Sequence, residues 1–338
     1  MTDAVQIHVS LEDLIESERL ADAASVLARA LPGERVARVS ALAGGASGAT
    51  MLRVETGSGA YVLRMDGPPD GLRDPARQYA CQAIAARAGL APALLYSDVE
   101  RRVSLSAFVA DEGPSMPRQA RLEAAATAVR RLHDGPVFPA LLPYMDAMAL
   151  VVGGFTAAAL VPDDVGEQIS RGFAQLNAAY PRDSADVVAA HCDLNPGNIL
   201  YAGGRALFVD WESAFAADRY VDVAAVLNYM AADADDEALV LTAYLSRAPD
   251  PYEQARVGAM RQINRLFYGT LLLMAAAQQG MRATAADLSV HTYARFRDAP
   301  VGVASGKGKI ALGCAFLNDA LAEMSTDPFK EGLARLRS

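Results

Sequence analysis

Cysteine is scarce in this chain, and its spacing excludes the frameworks that cysteines usually build. Only 3 of the 338 residues are cysteine, at Cys81, Cys192 and Cys314. An odd number of distant cysteines without a CxxC pair argues against a disulfide scaffold and against a zinc site. We therefore expect a protein of a reducing, cytoplasmic compartment.

The sequence also has no long apolar run and no leader-like start. The longest apolar stretches, at residues 147–162 and 266–277, are shorter than the roughly 18 residues that a membrane-spanning helix needs, and the first contains two adjacent glycines. Residues 1–10 lack a basic segment followed by an apolar one, so we expect no signal peptide. No membrane span is predicted.

Basic residues are too few to favour nucleic acid as a partner. Lys and Arg number 31 against 40 Asp and Glu, which gives a net charge of −9. Such a field repels polyanions and attracts cations, so we expect no nucleic-acid partner and favour a cationic substrate. The sequence leaves a monomer and a homodimer both open.

Apolar patterns and turn residues predict a β-rich first part and a helical second part. Three strands, one helix and two further strands give a small, mostly antiparallel sheet carrying one helix. The predicted strands cover residues 36–42, 50–55, 60–65, 92–96 and 103–109, and the helix covers residues 74–88. A helix from Ser10 as its N-cap to Leu31 precedes them. We expect an α+β fold divided into residues 1–33, 34–112 and 113–338.

The segment that carries chemistry lies at residues 191–198, with the sequence HCDLNPGN. A Pro-Gly pair forces a turn between Asp193 and Asn198, so both side chains are expected on one side of the loop. A Gly-Gly turn and an apolar strand then lead into Asp210 and Glu212. Three carboxylates and an amide oxygen in such a segment are suitable ligands for Mg²⁺.

The pattern H-x-D-x-x-x-x-N, followed by an apolar strand and an Asp, resembles the catalytic loop and metal-binding Asp of protein kinases. The Pro-Gly pair and the Asp-Trp-Glu segment make it more similar to the aminoglycoside phosphotransferase and choline/ethanolamine kinase superfamily. The resemblance covers roughly residues 36–280 and is most specific at residues 191–212. It implies a protein-kinase-like bilobal fold, with residues 34–112 as a nucleotide-binding N-lobe and residues 113–338 as a C-lobe.

The resemblance implies a role for each motif residue. Asp193 would be the catalytic base that accepts the proton of a substrate hydroxyl. Asn198 and Asp210 would hold Mg²⁺ ions that bridge the phosphates of ATP, and Glu212 would share a metal. Asp222 would anchor the catalytic loop through hydrogen bonds.

Two histidines near these motifs are expected to be structural. The resemblance implies that His191 braces the loop and is not an acid–base catalyst. His133 follows a helical pattern and is interpreted as a helix-end residue.

The glycine-rich segment at residues 44–50 leaves two interpretations open. A dinucleotide-binding loop needs a helix directly after it, whereas residues 51–55 predict a strand, as in the phosphate-covering loop of kinases. In the kinase interpretation, Gly45, Ser47, Gly48 and Thr50 contact the nucleotide. A plain hairpin turn is the alternative.

Arg64 stands where the kinases have a phosphate-binding Lys, and an Arg retains the charge and can bind phosphate oxygens bidentately. The partner of that Lys is a Glu on the next helix, and counting places Gln78 there, with Asp74 one turn earlier as a substitute. An exposed strand position is the alternative for Arg64. Ala107 and Val109 fall in the predicted hinge, where backbone groups would bind the adenine.

The substrate is indicated only through residue types. A quaternary ammonium group would need clustered aromatic rings for cation–π contacts. The candidates are Trp211, Tyr220, Tyr229, Phe267 and Tyr268, which core packing would explain equally well. The acidic run at residues 233–237 could face a cationic substrate or open a helix, where acids are favoured.

These patterns predict an ATP- and Mg²⁺-dependent kinase acting on a hydroxyl of a small cationic molecule, similar to choline, ethanolamine or an aminoglycoside. A non-catalytic nucleotide-binding module is the main alternative, because Arg64 and Gln78 both depart from the kinase pattern. A Rossmann-type oxidoreductase is the third possibility.

Overall fold

The computed structural model describes residues 11–42, 48–69 and 73–337. The predicted N-cap Ser10 and the predicted phosphate contacts Gly45 and Ser47 lie outside these residues. The chain divides into two compact units. The first unit holds the residues up to Pro117 together with Gly197–Phe215, and the second unit holds Arg118–Pro196 and the residues from Ala216 onwards.

Helices dominate the described chain, and the strands are short. In chain order the helices are α1 (Leu20–Ala30), α2 (Pro75–Arg87), α3 (Arg118–His133), α4 (Tyr144–Ala157), α5 (Asp163–Ala179), α6 (Tyr220–Met230), α7 (Ala234–Leu245), α8 (Pro251–Gln278), α9 (Ala285–Val290), α10 (Tyr293–Asp298), α11 (Gly306–Ser325) and α12 (Asp327–Arg335). The strands are β1 (Val36–Ala41), β2 (Thr50–Thr56), β3 (Ala60–Met65), β4 (Leu94–Asp98), β5 (Val103–Ala107), β6 (Val187–Ala190), β7 (Ile199–Ala202), β8 (Arg205–Phe208) and β9 (Phe215–Asp218).

The first unit is built on an antiparallel sheet with strand order β1-β2-β3-β5-β4. Alternate residues of β2, Leu52 and Val54, are buried in one core with Val26 and Leu27 of α1, as the period of two in a strand dictates. Helix α2 follows β3 in the chain, as the sequence predicts. The predicted α+β class, with a small antiparallel sheet and a mainly helical remainder, is confirmed.

The predicted start of the first helix is wrong. Residues 11–13 and 17–19 form separate 3₁₀ turns, and α1 begins only at Leu20. Arg19 donates from its guanidinium to the carbonyl oxygens of Asp66 (3.0 Å) and Arg101 (2.8 Å), which ties the entry of α1 to the ends of sheet strands. Sequence periodicity carries no signal for such long-range bonds.

The β7–β8 hairpin belongs to the first unit, although the sequence-based division assigns it to the second domain. The backbone N–H of Phe208 donates to Leu90 O (2.7 Å), and that of Glu112 donates to Tyr201 O (2.8 Å). The Asp111 carboxylate in turn accepts from Tyr201 N–H (2.9 Å). These bonds join the hairpin to loops of the first unit on both of its sides.

The second unit is helical except for the two-stranded pair of β6 and β9. Its longest helix, α8, has 28 residues and starts with a capping box formed by Asp250 and Glu253 around Pro251. None of the helices in the described parts of the chain is long and apolar enough to cross a membrane, as the sequence predicts.

Helices α8 and α11 approach each other at a pair of glycines. A Cβ added at Gly269 would lie 2.7 Å from Leu317 Cγ and 3.0 Å from Gly313 O, and one added at Gly313 would lie 3.1 Å from Gly269 O. A Cβ at Gly269 would therefore overlap the Leu317 side chain, and one at Gly313 would require its neighbours to shift by a few tenths of an ångström.

We expect Gly269→Ala to destabilise the protein by about 2 kcal/mol, because the methyl group forces packed side chains and backbone apart. The measurement is the midpoint of thermal unfolding. Gly258→Ala on the same helix is the control, because a Cβ there meets nothing within 4 Å, and its better helix propensity should leave stability unchanged or slightly higher. Equal midpoints for the two variants would contradict the close approach of α8 and α11.

Candidate active site

The β7–β8 hairpin brings two of the predicted metal ligands together. Ile199 pairs with Phe208, and Val209 N–H donates to Asn198 O at 3.0 Å. Asn198 therefore precedes β7 at the point where Asp210 follows β8. Asp210 has a left-handed backbone with φ of 63°, which Asp tolerates better than most residues, and the 3₁₀ turn Trp211–Ser213 follows it.

Trp211 is a core residue of the first unit and not a substrate-facing aromatic. It is 2% exposed, donates from Nε1 to Phe208 O at 3.2 Å and packs edge-to-face on the Phe208 ring. The indole thus fixes the turn that carries Asp210 and Glu212, which matches the core-packing interpretation of this residue.

Arg64 is the centre of an ionic cluster in the first unit. It is 7% exposed, so an exposed strand position is excluded. Its Nε lies 2.7 Å from Asp66 Oδ1, and its terminal nitrogens lie 2.8 Å from Asp210 Oδ1 and 3.2 Å from Glu212 Oε2. Burial alone would lower the pKa of Arg64, but the Asp210 and Asp66 carboxylates outweigh it and raise this pKa, so the charge is permanent.

Asp66 is the partner of Arg64 that the sequence reasoning missed. It follows β3 directly and lies two residues beyond Arg64, a spacing that puts both side chains on one face of an extended chain and that could have identified it. Tyr79 donates its hydroxyl to Asp66 Oδ2 at 2.6 Å. Gln78 is buried, and its Nε2 lies 3.5 Å from the same oxygen. Asp74, the predicted substitute, instead caps α2 by accepting from Ala76 N–H.

The charge balance of this cluster suits a divalent cation. The Arg64 guanidinium pairs with the three carboxylates of Asp66, Asp210 and Glu212, so acids outnumber the cation that they share. Burial, reinforced by the Asp210 charge, raises the pKa of Glu212 against the opposing charges of Arg64 and Arg73. Among the described residues, no group of three or more His, Cys, Asp or Glu side chains is arranged as a metal site. Asn198, Asp210 and Glu212 supply oxygen donors that fit Mg²⁺, which takes its other ligands from water and phosphates.

Asp222 organises the start of the predicted catalytic loop in the second unit. Its carboxylate is fully buried and accepts from the backbone N–H groups of His191 and Cys192, both at 2.8 Å. His133 Nε2 lies 3.0 Å from the same carboxylate, and His133 Nδ1 lies 2.9 Å from the Tyr244 hydroxyl. Burial alone would raise the pKa of Asp222, but the His133 hydrogen bond and the other donors outweigh it and lower this pKa.

These bonds hold an unfavourable backbone conformation next to Asp193. Cys192 has φ of 61°, a left-handed conformation that costs a residue with a Cβ roughly 1–2 kcal/mol. The N–H bonds to Asp222 and the bond from the Tyr268 hydroxyl to Cys192 O (3.1 Å) supply the compensation. His191 is completely buried, in line with its predicted bracing role.

Asp193 is half-buried and held from two directions. The Tyr268 hydroxyl shares its single proton between Cys192 O and Asp193 Oδ1 (3.2 Å), and Asn195 Nδ2 lies 3.3 Å from both carboxylate oxygens. Burial and the Asp193 charge hold the pKa of Tyr268 well above its usual range, so the phenol remains a donor. Hydrogen bonds to a carboxylate favour its ionised form, the form that a base needs.

Aromatic rings form a connected cluster beside Asp193. The sequence-based candidates include only some of these rings. Tyr229 packs edge-to-face on Tyr268 (5.7 Å between centroids) and on Phe316 (5.3 Å), and Tyr293 stacks on Phe316 at 5.3 Å. Tyr220 belongs elsewhere: it is buried, and the Arg256 guanidinium lies 4.7 Å above its ring. Phe316 and Tyr293 are distant in sequence, so only the fold adds them.

The remaining predicted nucleotide contacts lie in or next to strands of the first unit. Gly48 has φ of 71° and Thr50 opens β2, while the Ala107 N–H is already engaged with Ala93 O at 2.8 Å. Val109 lies just beyond β5. The roles of these residues toward a nucleotide stay predictions.

The acidic run at residues 233–237 opens a helix, as the favoured interpretation holds. Asp233 caps α7 by accepting from Asp236 N–H at 3.0 Å, and Asp236 pairs with Arg118. Glu237 pairs with Arg261. These acids are therefore committed to the helix start and to arginines.

Comparison with known proteins identifies related folds. A family model described as "Phosphotransferase enzyme family" matches residues 38–256. A choline/ethanolamine kinase family protein from Mesorhizobium loti is 22% identical, with 94% of this chain and 98% of that chain covered and a TM-score of 0.68. No match was found among curated proteins.

Two further solved structures have the same fold. A Plasmodium vivax ethanolamine kinase is 14% identical, with 91% of this chain and 88% of that chain covered and a TM-score of 0.62. A spectinomycin phosphotransferase solved with ADP and spectinomycin is 12% identical, with 89% and 98% covered and a TM-score of 0.53. At such identities the likeness establishes the fold.

We expect Asp222→Asn to destabilise the protein by about 3 kcal/mol, because the amide cannot accept from all three donors of a fully buried carboxylate. The midpoint of thermal unfolding measures this effect. Asp298→Asn, at an exposed helix end, is the control and should stay within about 0.5 kcal/mol. An Asp222→Asn variant as stable as that control would refute the anchoring role.

Proposed function

This chain belongs to the phosphotransferase enzyme family, and we propose that it transfers the γ-phosphate of ATP, with Mg²⁺, to a hydroxyl group of a small cationic molecule. The predicted resemblance to aminoglycoside phosphotransferases and choline/ethanolamine kinases is confirmed by the family match and the shared fold. The observation that carries the proposal is the Asp193 carboxylate, held by Tyr268 at the edge of an aromatic cluster.

Asp193 is the proposed base of this transfer. The substrate hydroxyl forms a bond to the γ-phosphorus as the bond from that phosphorus to the bridging oxygen of ADP breaks, and the hydroxyl proton passes to the Asp193 carboxylate. Catalysis then depends on positioning, so the bonds from Tyr268 and Asn195 that orient this carboxylate support the role.

Asn198, Asp210 and Glu212 are the proposed metal ligands. Their amide and carboxylate oxygens are donors that Mg²⁺ prefers, and the hairpin fixes Asn198 and Asp210 at one end of the β7–β8 ladder. A bound Mg²⁺ would neutralise charge on the nucleotide phosphates. Arg64 is proposed to bind phosphate oxygens with its terminal nitrogens, as a guanidinium does in bidentate contacts.

The proposed cationic substrate rests on charge and on ring chemistry. Aromatic faces attract a cation, most strongly when it is desolvated, and Tyr229, Tyr268 and Tyr293 are connected partly exposed rings, packed on the buried Phe316. The anionic Asp193 at its edge and the net charge of −9 add long-range attraction. Choline, ethanolamine and amino-sugars all combine a cationic nitrogen with a hydroxyl group.

The nucleotide is proposed from the relatives. A spectinomycin phosphotransferase of this fold was solved with ADP, the product of transfer from ATP. A non-catalytic nucleotide-binding module remains the competing function, and it predicts binding of nucleotide without transfer to any acceptor.

Asp193→Asn should lower kcat at least about a hundredfold while ATP affinity stays within about twofold, because the amide cannot accept the proton but the nucleotide contacts remain. Asp210→Ala should remove the Mg²⁺-dependent part of ATP binding. ADP release and calorimetry measure the two effects after a screen of choline, ethanolamine, aminoglycosides and sugar alcohols has found an acceptor. Asp298→Asn is the control. Near-normal turnover by Asp193→Asn, or no transfer to any acceptor, would reject the proposed function.

If the acceptor is choline-like, the cationic nitrogen should matter more than shape. We expect kcat/KM for choline to exceed that for 3,3-dimethyl-1-butanol, its neutral isostere, by about 30-fold, as a desolvated cation–π contact of about 2 kcal/mol implies. Steady-state kinetics with both alcohols measure the ratio, and Tyr229→Leu should reduce it. A ratio near one would reject recognition of the cation.

A further inference from the structure

The Arg64 guanidinium uses its three nitrogens for three different acids. Nε lies 2.7 Å from Asp66, whereas the terminal nitrogens lie 2.8 Å from Asp210 and 3.2 Å from Glu212. Asp210 and Glu212 are proposed metal ligands, so their contacts with Arg64 must weaken when metal and nucleotide bind. The Asp66 contact involves none of the proposed ligands.

We infer that Asp66, supported by Tyr79, is the positioning residue that holds Arg64 by its Nε while the two terminal nitrogens exchange Asp210 and Glu212 for phosphate oxygens. The inference rests on the proposed function and deepens it. The acid that holds Arg64 is then Asp66, which directly follows β3. Sequence reasoning had instead placed this acid on helix α2, near Gln78.

Asp66 is itself held so that it can act as an anchor. It is 7% exposed, and Oδ1 accepts from Arg64 while Oδ2 accepts from the Tyr79 hydroxyl at 2.6 Å. Burial and the Asp66 charge raise the pKa of Tyr79, so this phenol stays a donor. Because both oxygens of Asp66 are bonded, its carboxylate stays in place when the terminal nitrogens of Arg64 change partners. The Nε atom is therefore the fixed end of the guanidinium.

The arrangement also explains why the cation is an Arg. A lysine ammonium carries its three N–H donors on a single nitrogen, so an anchoring acid and the phosphate oxygens would have to gather around one atom. A guanidinium presents Nε and two terminal nitrogens in a rigid plane, so one edge can be anchored and another used. The identities of Arg64, Asp66 and Gln78 are therefore linked. Because the acid that pairs with Arg64 Nε lies at position 66, position 78 carries only an amide.

A double-mutant cycle tests the inference by binding, without turnover. Asp66→Asn should weaken binding of a non-hydrolysable ATP analogue with Mg²⁺ about tenfold, as loss of one charge-assisted bond implies. In an Arg64→Gln background the same change should have an effect below about twofold. Calorimetry gives both values. Asp74→Asn, a nearby cap that Asn preserves, is the control and should leave binding unchanged.

Two further measurements separate positioning from a general loss of charge or of folding. Asp66→Asn combined with Gln78→Glu should recover most of the binding, because Gln78 Nε2 already lies 3.5 Å from Asp66 Oδ2. Arg64→Gln should raise the affinity for Mn²⁺ alone, measured by electron paramagnetic resonance, because it removes the cation that now pairs with Asp210 and Glu212.

The inference is overturned if Asp66→Asn weakens nucleotide binding equally in both backgrounds, or if Arg64→Gln weakens Mn²⁺ binding. These outcomes are independent of the proposed function, because transfer to an acceptor is not measured. An intact cycle in a chain that phosphorylates no acceptor would support the positioning role of Asp66 and reject only the kinase activity.

Discussion

Burial of the Arg64 charge is the constraint on which the first unit's functional residues depend. A buried cation costs several kcal/mol unless acids surround it, and Asp66, Asp210 and Glu212 fill that requirement. Three acids pair with this one guanidinium. In the proposed function, a divalent cation bound by Asp210 and Glu212 would offset this negative charge beside the nucleotide phosphates.

The second unit contains a buried anion, Asp222, whose charge must be compensated in the same way. Asp222 accepts from two backbone N–H groups and from His133, and the bonds hold Cys192 in a left-handed conformation directly before Asp193. A strained residue of this kind persists only where its surroundings determine it. The backbone conformation of Cys192 therefore sets the direction in which the next residue, Asp193, leaves the chain. His133 supports this conformation through its contact with Asp222, so it is a positioning residue of the loop.

The aromatic cluster of the second unit is the surface on which the proposed recognition of a cation depends. Rings from α6, α8, α10 and α11 meet in it, and Tyr268 links it to Asp193 through one hydroxyl. A single side chain thus couples the proposed base to the surface proposed for a cation. Trp211 and Tyr220 had equal claims by residue type, yet both are core residues that position other elements.

The sequence by itself determined the sheet with its helix, the helical remainder, and the loop and hairpin from His191 to Glu212, because these depend on local periodicity, turn residues and short spacing. Only the tertiary structure decided the partner of Arg64, the membership of Phe316 and Tyr293 in the aromatic cluster, and the use of His133 as a support for Asp222. Those contacts join residues far apart in the chain or on neighbouring elements. Their energies come from burial of charge and rings, which local sequence patterns do not encode.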